Sequence, residues 1–173
     1  MDLLPFEEYA AQLNRKRTPA GVLIRSTDAR VLLVQTSYAP PGIDDNWEIP
    51  GGAGEADESP WTTAAREVQE ELGLDRPLGR LLVIDHVPQE DPMPEGLAFI
   101  FDGGVMTDAE VAALELPDPE IVAVGLFTID EAAERVKPAL AGRLRAAVYA
   151  QVNGVVALCE SGERVTGDAS DGA

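Results

Sequence analysis

Residues 52–74 read GAGEADESPWTTAAREVQEELGL, and they contain signals for both ends of one helix. Ser59 is a favourable N-cap residue, and Pro60 suits the first helical position. Gly73 is a natural C′ residue, since glycine adopts the left-handed conformation without a steric cost. The stretch therefore predicts a helix over 60–72.

Three glutamates, Glu67, Glu70 and Glu71, fall at helical spacing on one face of this helix, beside Arg66. Like charges at this spacing repel. Glu70 and Glu71 also lie in the last turn, where the helix dipole disfavours an acidic side chain by roughly 0.3–1 kcal/mol. A divalent cation bound by the glutamates would remove this repulsion. The alternative is a solvated acidic face, which is the commoner outcome for three glutamates judged on spacing alone.

The whole stretch resembles the Nudix box, in which a glycine, a glutamate, an Arg-Glu pair, a Glu-Glu pair and a final glycine recur at fixed offsets. The preceding segment 47–51, Trp-Glu-Ile-Pro-Gly, resembles the residues that lead into the box. Every specified position of the box is occupied, by Gly52, Glu58, Arg66, Glu67, Val68, Glu70, Glu71, Gly73 and Leu74.

The resemblance implies a metal site. Glu70 and Glu71 resemble the principal metal ligands of the family, and Glu67 resembles a carboxylate that is a general base in some members and a further ligand in others. The backbone carbonyl of Gly51 matches a position that often contacts the metal. Carboxylates with no histidine or cysteine nearby are hard oxygen ligands that suit Mg²⁺ or Mn²⁺.

The resemblance also implies an activity, the hydrolysis of a nucleoside diphosphate linked to another moiety. Arg66 resembles the residue that orients Glu67, and Glu58 resembles the glutamate that supports the loop before the helix. Many family members recruit one more acid from a later loop, and three residues are candidates for that role, although each is more often a plain surface acid. These candidates are Glu120, Asp91 and Glu95.

Residues outside the box rank the substrates. Pro88 lies near the place where ADP-ribose hydrolases of this family tend to have a proline. Ala53 stands where triphosphate-cleansing members often have lysine. We therefore expect ADP-ribose or a sugar nucleotide, with triphosphate cleansing and a non-catalytic nucleotide-binding regulatory domain as alternatives. Tyr38 or Trp47 could stack on a base and Arg25 could meet a phosphate, although ordinary packing is the commoner role for each.

Composition limits the classes of partner. The formal net charge is -18 and the pI about 4.2, which argues against a nucleic-acid or anionic-membrane partner because such binding needs a basic patch. The single cysteine, Cys159, and the single histidine, His86, argue against an internal disulfide and an ordinary zinc site. With neither a signal peptide nor a long apolar run, we expect a soluble, cytoplasmic protein, with the N-terminal extension and family habit favouring a homodimer.

The predicted strands are interspersed with helices along the chain, which predicts a mixed sheet covered by helices on both faces. The resemblance implies the same α/β/α sandwich. We expect one domain over 1–165 with a short N-terminal helical extension, and a disordered tail over 166–173. On the box helix, the predicted core-facing stripe is Trp61, Ala65, Val68 and Leu72. Strands are predicted over 20–25, 31–36, 80–86, 97–101, 120–127 and 155–158, and the other helices over 6–13, 109–114, 130–136 and 139–152.

Overall fold

The computed structural model describes residues 4–38 and 46–165. The proline, glycine, aspartate and asparagine content predicts a loop over 39–46, of which only Asn46 is described, as the first residue of a strand, and the predicted tail over 166–173 lies outside the described residues. The helices are α1 (Phe6–Ala11), α2 (Pro60–Leu72), α3 (Asp108–Ala112), α4 (Ile129–Arg135) and α5 (Pro138–Asn153). The strands are β1 (Ala20–Ser26), β2 (Val31–Thr36), β3 (Asn46–Glu48), β4 (Gly51–Gly52), β5 (Leu81–Val87), β6 (Gly96–Met106), β7 (Ile121–Phe127), β8 (Ala157–Glu160) and β9 (Glu163–Arg164).

The strands of the described residues form one mixed sheet in the order β3-β2-β1-β6-β5-β8-β9, with β4 paired to β1 and β7 paired to β2. The β1–β6 and β5–β8 pairs are parallel, and the other pairs are antiparallel. One apolar core joins the sheet to α4 and α5, and a second core on the opposite face joins it to α2 and α3. The predicted α/β/α sandwich with a mixed central sheet is confirmed.

Helix α2 begins and ends where its caps predict. The Ser59 hydroxyl accepts a hydrogen bond from the backbone N–H of Thr62 at 3.3 Å, and Pro60 is the first helical residue. Gly73 ends the helix in the left-handed conformation, with φ at 66°. Local sequence was sufficient here because each cap acts on backbone groups within one turn.

The predicted core-facing stripe of α2 is wrong at two of its four positions. Trp61 is 63% exposed and Ala65 is also exposed, whereas Val68 and Leu72 are buried as predicted. The helix instead buries Ala64, a small side chain that allows close approach to the sheet. Several stripes of apolar residues fit one helix, and packing against the sheet selects among them. The selected face includes Glu71, which is consequently buried.

Strand β6 is longer than the predicted strand over 97–101 because two glycines continue it. A Cβ atom on Gly103 would collide with Val22 and Ile24 of the neighbouring strand, and Gly104 has a positive φ of 74°. The register of β1 against β6 shifts at this point, between Leu23 and Arg25. The glycine pair therefore bends the strand instead of ending it.

A buried ion pair that the sequence did not predict joins the sheet to α5. Asp85 on β5 is fully buried, and its Oδ2 accepts a hydrogen bond from Nε of Arg143 at 2.5 Å. Both carboxylate oxygens also accept from the backbone N–H of Gly162, at 3.0 and 3.1 Å. Cys159, paired with Asp85 across β5 and β8, is buried, and burial raises the pKa of its thiol to about 11.

The remaining observations concern the N-terminal helix and the search for membrane-spanning helices. Helix α1 is shorter than the predicted helix over 6–13, and none of its residues is buried. Within the part of the chain that the structure describes, no helix combines the length and the apolar character needed to cross a bilayer.

Candidate functional site

Two glycines bring the segment before α2 against the sheet and against the helix. Gly51 and Gly52 form β4 and pair with Gly21 and Ala20 at the start of β1. A Cβ atom on Gly51 would collide with the backbone of Ala20, and one on Gly52 would collide with the carboxylate of Glu67. The backbone of β4 thus lies directly beside the acidic face of α2, which only residues without a side chain allow.

Glu71 is a buried carboxylate without a cationic partner. It is 7% exposed, and its Oε2 accepts a hydrogen bond from the backbone N–H of Gly51 at 3.0 Å. None of the ion pairs between described residues includes it. Burial raises the pKa of Glu71 to about 8, and the negative charges of Glu67, Asp118 and Glu48 act in the same direction. The group is therefore electrostatically unfavourable as a bare carboxylate.

Arg66 neutralises the other glutamates of the helix. Its Nη1 donates hydrogen bonds to Glu67 Oε1 and to Glu70 Oε2, both at 2.9 Å. In the last turn, Arg66 therefore balances the charge of Glu70, whereas Glu71 has no cationic partner among the described residues. Glu67 is half-buried, and this desolvation raises its pKa although Arg66 acts in the opposite direction.

Glu58 attaches the loop before α2 to the helix. Its Oε1 accepts from Arg66 Nε at 2.9 Å, and its Oε2 accepts from the backbone N–H of Glu55 at 3.0 Å and from the Thr63 hydroxyl at 2.8 Å. Hydrogen bonding to Arg66 lowers the pKa of Glu58 to about 2. This geometry agrees with the loop-supporting role that the resemblance implies.

The donor set of this region suits a hard divalent cation. Glu71 supplies a buried carboxylate without a cationic partner, and the Glu67 carboxylate lies against Gly52, next to Gly51, whose N–H donates to Glu71. As the side chains stand, however, no three His, Cys, Asp or Glu residues of the described ranges converge on one point, since Arg66 holds Glu67 and Glu70. The residues predicted as ligands thus lie together at the α2–β4 junction without forming a closed cage.

The three candidates for an additional acid separate in the structure. The backbone carbonyl of Glu120 accepts from the N–H of Ser37 at 2.6 Å, which places it beside the end of β2. Glu95 instead forms hydrogen bonds with Lys16, Asn14 and His86, which lower its pKa to about 2. Asp91 lies exposed in the loop between β5 and β6.

Two acids near Glu71 were not predicted, namely Glu48 and Asp118. Both lie close enough to raise the pKa of Glu71 and of Tyr38. The sequence offered one signal for Glu48, its place three residues before Gly51 in the segment that leads into the box. Asp118 lies in a Pro-Asp-Pro turn distant in sequence, and nothing local distinguishes it from a surface acid.

Two other predicted contacts fall away from this region. Trp47 packs edge-on against Phe127 with ring centroids 5.0 Å apart, in the core between the sheet and α4. Arg25 lies four residues beyond Gly21 on β1, about 13 Å along the strand from the Gly51 pairing. Trp47 is therefore engaged in packing, and Arg25 lies further along β1 than the residues paired with β4.

A family model and a known protein both match parts of this chain. The family model described as NUDIX domain matches residues 15–149. Diphosphoinositol polyphosphate phosphohydrolase 2 of Rattus norvegicus is 46% identical over 70 residues, which cover 40% of this chain and 37% of the relative. The match thus spans little more than a third of the relative's length.

Solved structures share the fold over most of the chain. A NUDIX hydrolase from Nitrosomonas europaea is 26% identical with a TM-score of 0.60, over 81% of this chain and 90% of that protein. An ADP-ribose pyrophosphatase from Streptococcus suis is 22% identical with a TM-score of 0.56, over 84% of this chain and 99% of that protein. Since the family model covers well over half of the described residues, the chain belongs to the NUDIX domain family.

Proposed function

We propose that this protein is a Mg²⁺- or Mn²⁺-dependent hydrolase of a nucleoside diphosphate linked to another moiety. The observation that carries the proposal is Glu71, a buried carboxylate that no described cation neutralises. Burying an isolated charge is costly unless it is paired or binds a metal. Glu71, Glu70 and the backbone carbonyl of Gly51 would hold the cation, with Glu67 beside them.

The proposed reaction assigns separate roles to the residues of α2. A water oxygen attacks one phosphorus of the diphosphate, the bridging P–O bond breaks, and the bridging oxygen leaves with the second phosphorylated product. Glu67 accepts the proton of the water as general base, and the 2.9 Å hydrogen bond from Arg66 holds Glu67 in place. When bound, the cation would neutralise and polarise the diphosphate.

The favoured substrates are ADP-ribose and sugar nucleotides. Ala53 and Pro88 support this ranking over triphosphate cleansing, and one structural neighbour is named as an ADP-ribose pyrophosphatase. The rat relative is named for diphosphoinositol polyphosphates, which carry many more negative charges. Glu48, Asp118 and Glu120 near the site disfavour so highly charged a substrate, because like charges in a partly desolvated region repel strongly. The non-catalytic alternative is not favoured, because every glutamate of the box is present.

A hydrolysis panel tests both the activity and the ranking. With Mg²⁺ we expect phosphate-containing products from ADP-ribose or a sugar nucleotide at a higher kcat/KM than from triphosphates, dinucleoside polyphosphates or diphosphoinositol polyphosphates. The net charge of -18 should slow encounter with anions, so the rate should rise with moderate salt. Turnover of an oxidised triphosphate alone would contradict the ranking and leave the hydrolase assignment. Tight nucleotide binding without any turnover would support a regulatory domain instead.

Metal binding should stabilise the fold. A cation at a hundred times its Kd stabilises the native state by about 2.7 kcal/mol, which for a chain of this size raises the Tm by roughly 5 to 10 °C. The Glu70→Gln, Glu71→Gln double variant should lose most of this shift. Glu134→Gln, a matched change at an exposed position of α4, should keep it. Equal shifts in the double variant and the wild type would show that these glutamates are not the metal site.

The partner, the oligomeric state and the location of the protein remain proposals. We propose a small-molecule nucleotide as the partner of the site, with no role for nucleic acid or membrane, because the chain is strongly acidic. The homodimer and the cytoplasmic location stay predictions. Light scattering of the purified protein measures the first, and fractionation of cells that express the full-length protein measures the second.

A further inference from the structure

We infer that Tyr38 is a specificity-determining residue that stacks on the nucleobase of the substrate. This inference rests on the proposed function, since it assumes a nucleotide at the site around Glu71. It extends that proposal by separating substrates with an aromatic ring from diphosphates that lack one.

A relay of buried hydrogen bonds fixes the backbone of Tyr38. The Asn46 side-chain amide donates to the Thr36 hydroxyl at 2.8 Å, and that hydroxyl donates to the carbonyl of Tyr38 at 2.7 Å. Thr36 and Asn46 are 7% and 4% exposed, so water does not compete with the relay. Next to it, the N–H of Ser37 donates to the carbonyl of Glu120 at 2.6 Å. The end of β2 is thus attached to β3 on one side and to the start of β7 on the other.

These attachments place Tyr38 beside the proposed site. Strand β3 runs from Asn46 to Glu48, and the chain then reaches Gly51 in β4, whose N–H donates to Glu71. The same acids, Glu48, Glu120 and Glu71, act together with partial burial to raise the pKa of the Tyr38 phenol, which agrees with this placement.

Tyr38 is also available for a ligand, unlike Trp47. The Tyr38 side chain is 55% exposed although its backbone is fixed, whereas Trp47 is committed to Phe127. An exposed aromatic ring on an ordered backbone binds a nucleobase at little entropic cost, because few bond rotations are lost on binding. Trp61 is comparably exposed, at 63%, but lies in the first turn of α2, away from Glu71 in the last turn. Trp61 therefore serves as a matched control.

Binding of two monophosphates tests the inference independently of turnover. By calorimetry with Mg²⁺, Tyr38→Ala should weaken AMP binding by about 5- to 150-fold, the range that corresponds to the loss of one base–aromatic stack. Ribose 5-phosphate, which has the same phosphate and sugar but no ring, should bind Tyr38→Ala within twofold of wild type. Tyr38→Phe and Trp61→Ala should bind both ligands as wild type does. Thr36→Val removes the donor to the Tyr38 carbonyl. It should weaken AMP binding but not ribose 5-phosphate binding, and by a smaller factor than Tyr38→Ala does.

The outcomes separate this inference from the proposed hydrolase activity. Unchanged AMP affinity in Tyr38→Ala, an equal loss for both ligands, or no AMP binding by the wild type would each overturn the inference. If AMP binds selectively through Tyr38 but no compound of the hydrolysis panel is cleaved, the stacking role stands and the hydrolase proposal fails. If ADP-ribose is cleaved, Tyr38→Ala should raise its KM and leave kcat within twofold.

Discussion

Glu71→Gln should lower kcat/KM by at least about a hundredfold at saturating Mg²⁺, because even outer partners of a metal ligand are worth about 10- to 100-fold. The variant keeps the shape of the side chain and an oxygen that can accept the N–H of Gly51. It removes the negative charge that a divalent cation would neutralise. The loss should therefore fall on metal binding and turnover and not on folding.

Stability in EDTA distinguishes this interpretation from simple misfolding. A neutral amide costs less to bury than a carboxylate, so metal-free Glu71→Gln should melt at or above the temperature of the metal-free wild type. Glu134→Gln removes the same charge from an exposed position of α4 and should retain wild-type turnover. Wild-type turnover in Glu71→Gln at saturating Mg²⁺ would contradict the assignment of Glu71 as a metal ligand.

Asp85→Asn should destabilise the fold by about 3–5 kcal/mol, the usual result of removing one partner from a buried ion pair. Arg143, whose side chain is 18% exposed, would lose its counter-ion, and the amide could not accept every hydrogen bond that the carboxylate receives. For a chain of this size the loss corresponds to a decrease in Tm of roughly 6 to 20 °C. Thermal unfolding followed by circular dichroism measures it, with Asp75→Asn, at an exposed position, as control.

A double variant separates the ion pair from the carboxylate itself. Replacing a buried ion pair by apolar residues is often neutral, so Asp85→Leu, Arg143→Leu should recover part of the stability that Asp85→Leu loses. Recovery should remain incomplete, because the N–H of Gly162 keeps no acceptor and an unsatisfied buried donor costs about 1–3 kcal/mol. If the stability lost in the double variant equals the sum of the losses in Asp85→Leu and Arg143→Leu, the pair contributes no coupling energy.

Local backbone chemistry made both ends of helix α2 predictable. It did not predict which face of the helix is buried. Ser59, Pro60 and Gly73 act within a turn of the groups they cap, so both ends of α2 were confirmed. Which face the helix buries depends on the surface of β1 and β6, which lie far away in sequence. Trp61 and Ala65 were therefore assigned to the core although both are exposed.

The same distinction applies to the candidate site. The family was predictable from the sequence because its motif occupies fixed offsets within residues 52–74, and the α/β/α fold class was predictable from the order of strands and helices and from that resemblance. The hard-cation site at Glu67, Glu70 and Glu71 stays a prediction. Only the tertiary structure decided that Arg66 balances Glu67 and Glu70 while Glu71 stays buried and unpaired. Tertiary structure alone also brought Asp118 and Tyr38 near Glu71, and Arg143 onto Asp85. The physical reason is that burial and charge at one atom depend on every element packed around it, and those elements meet only in the folded chain.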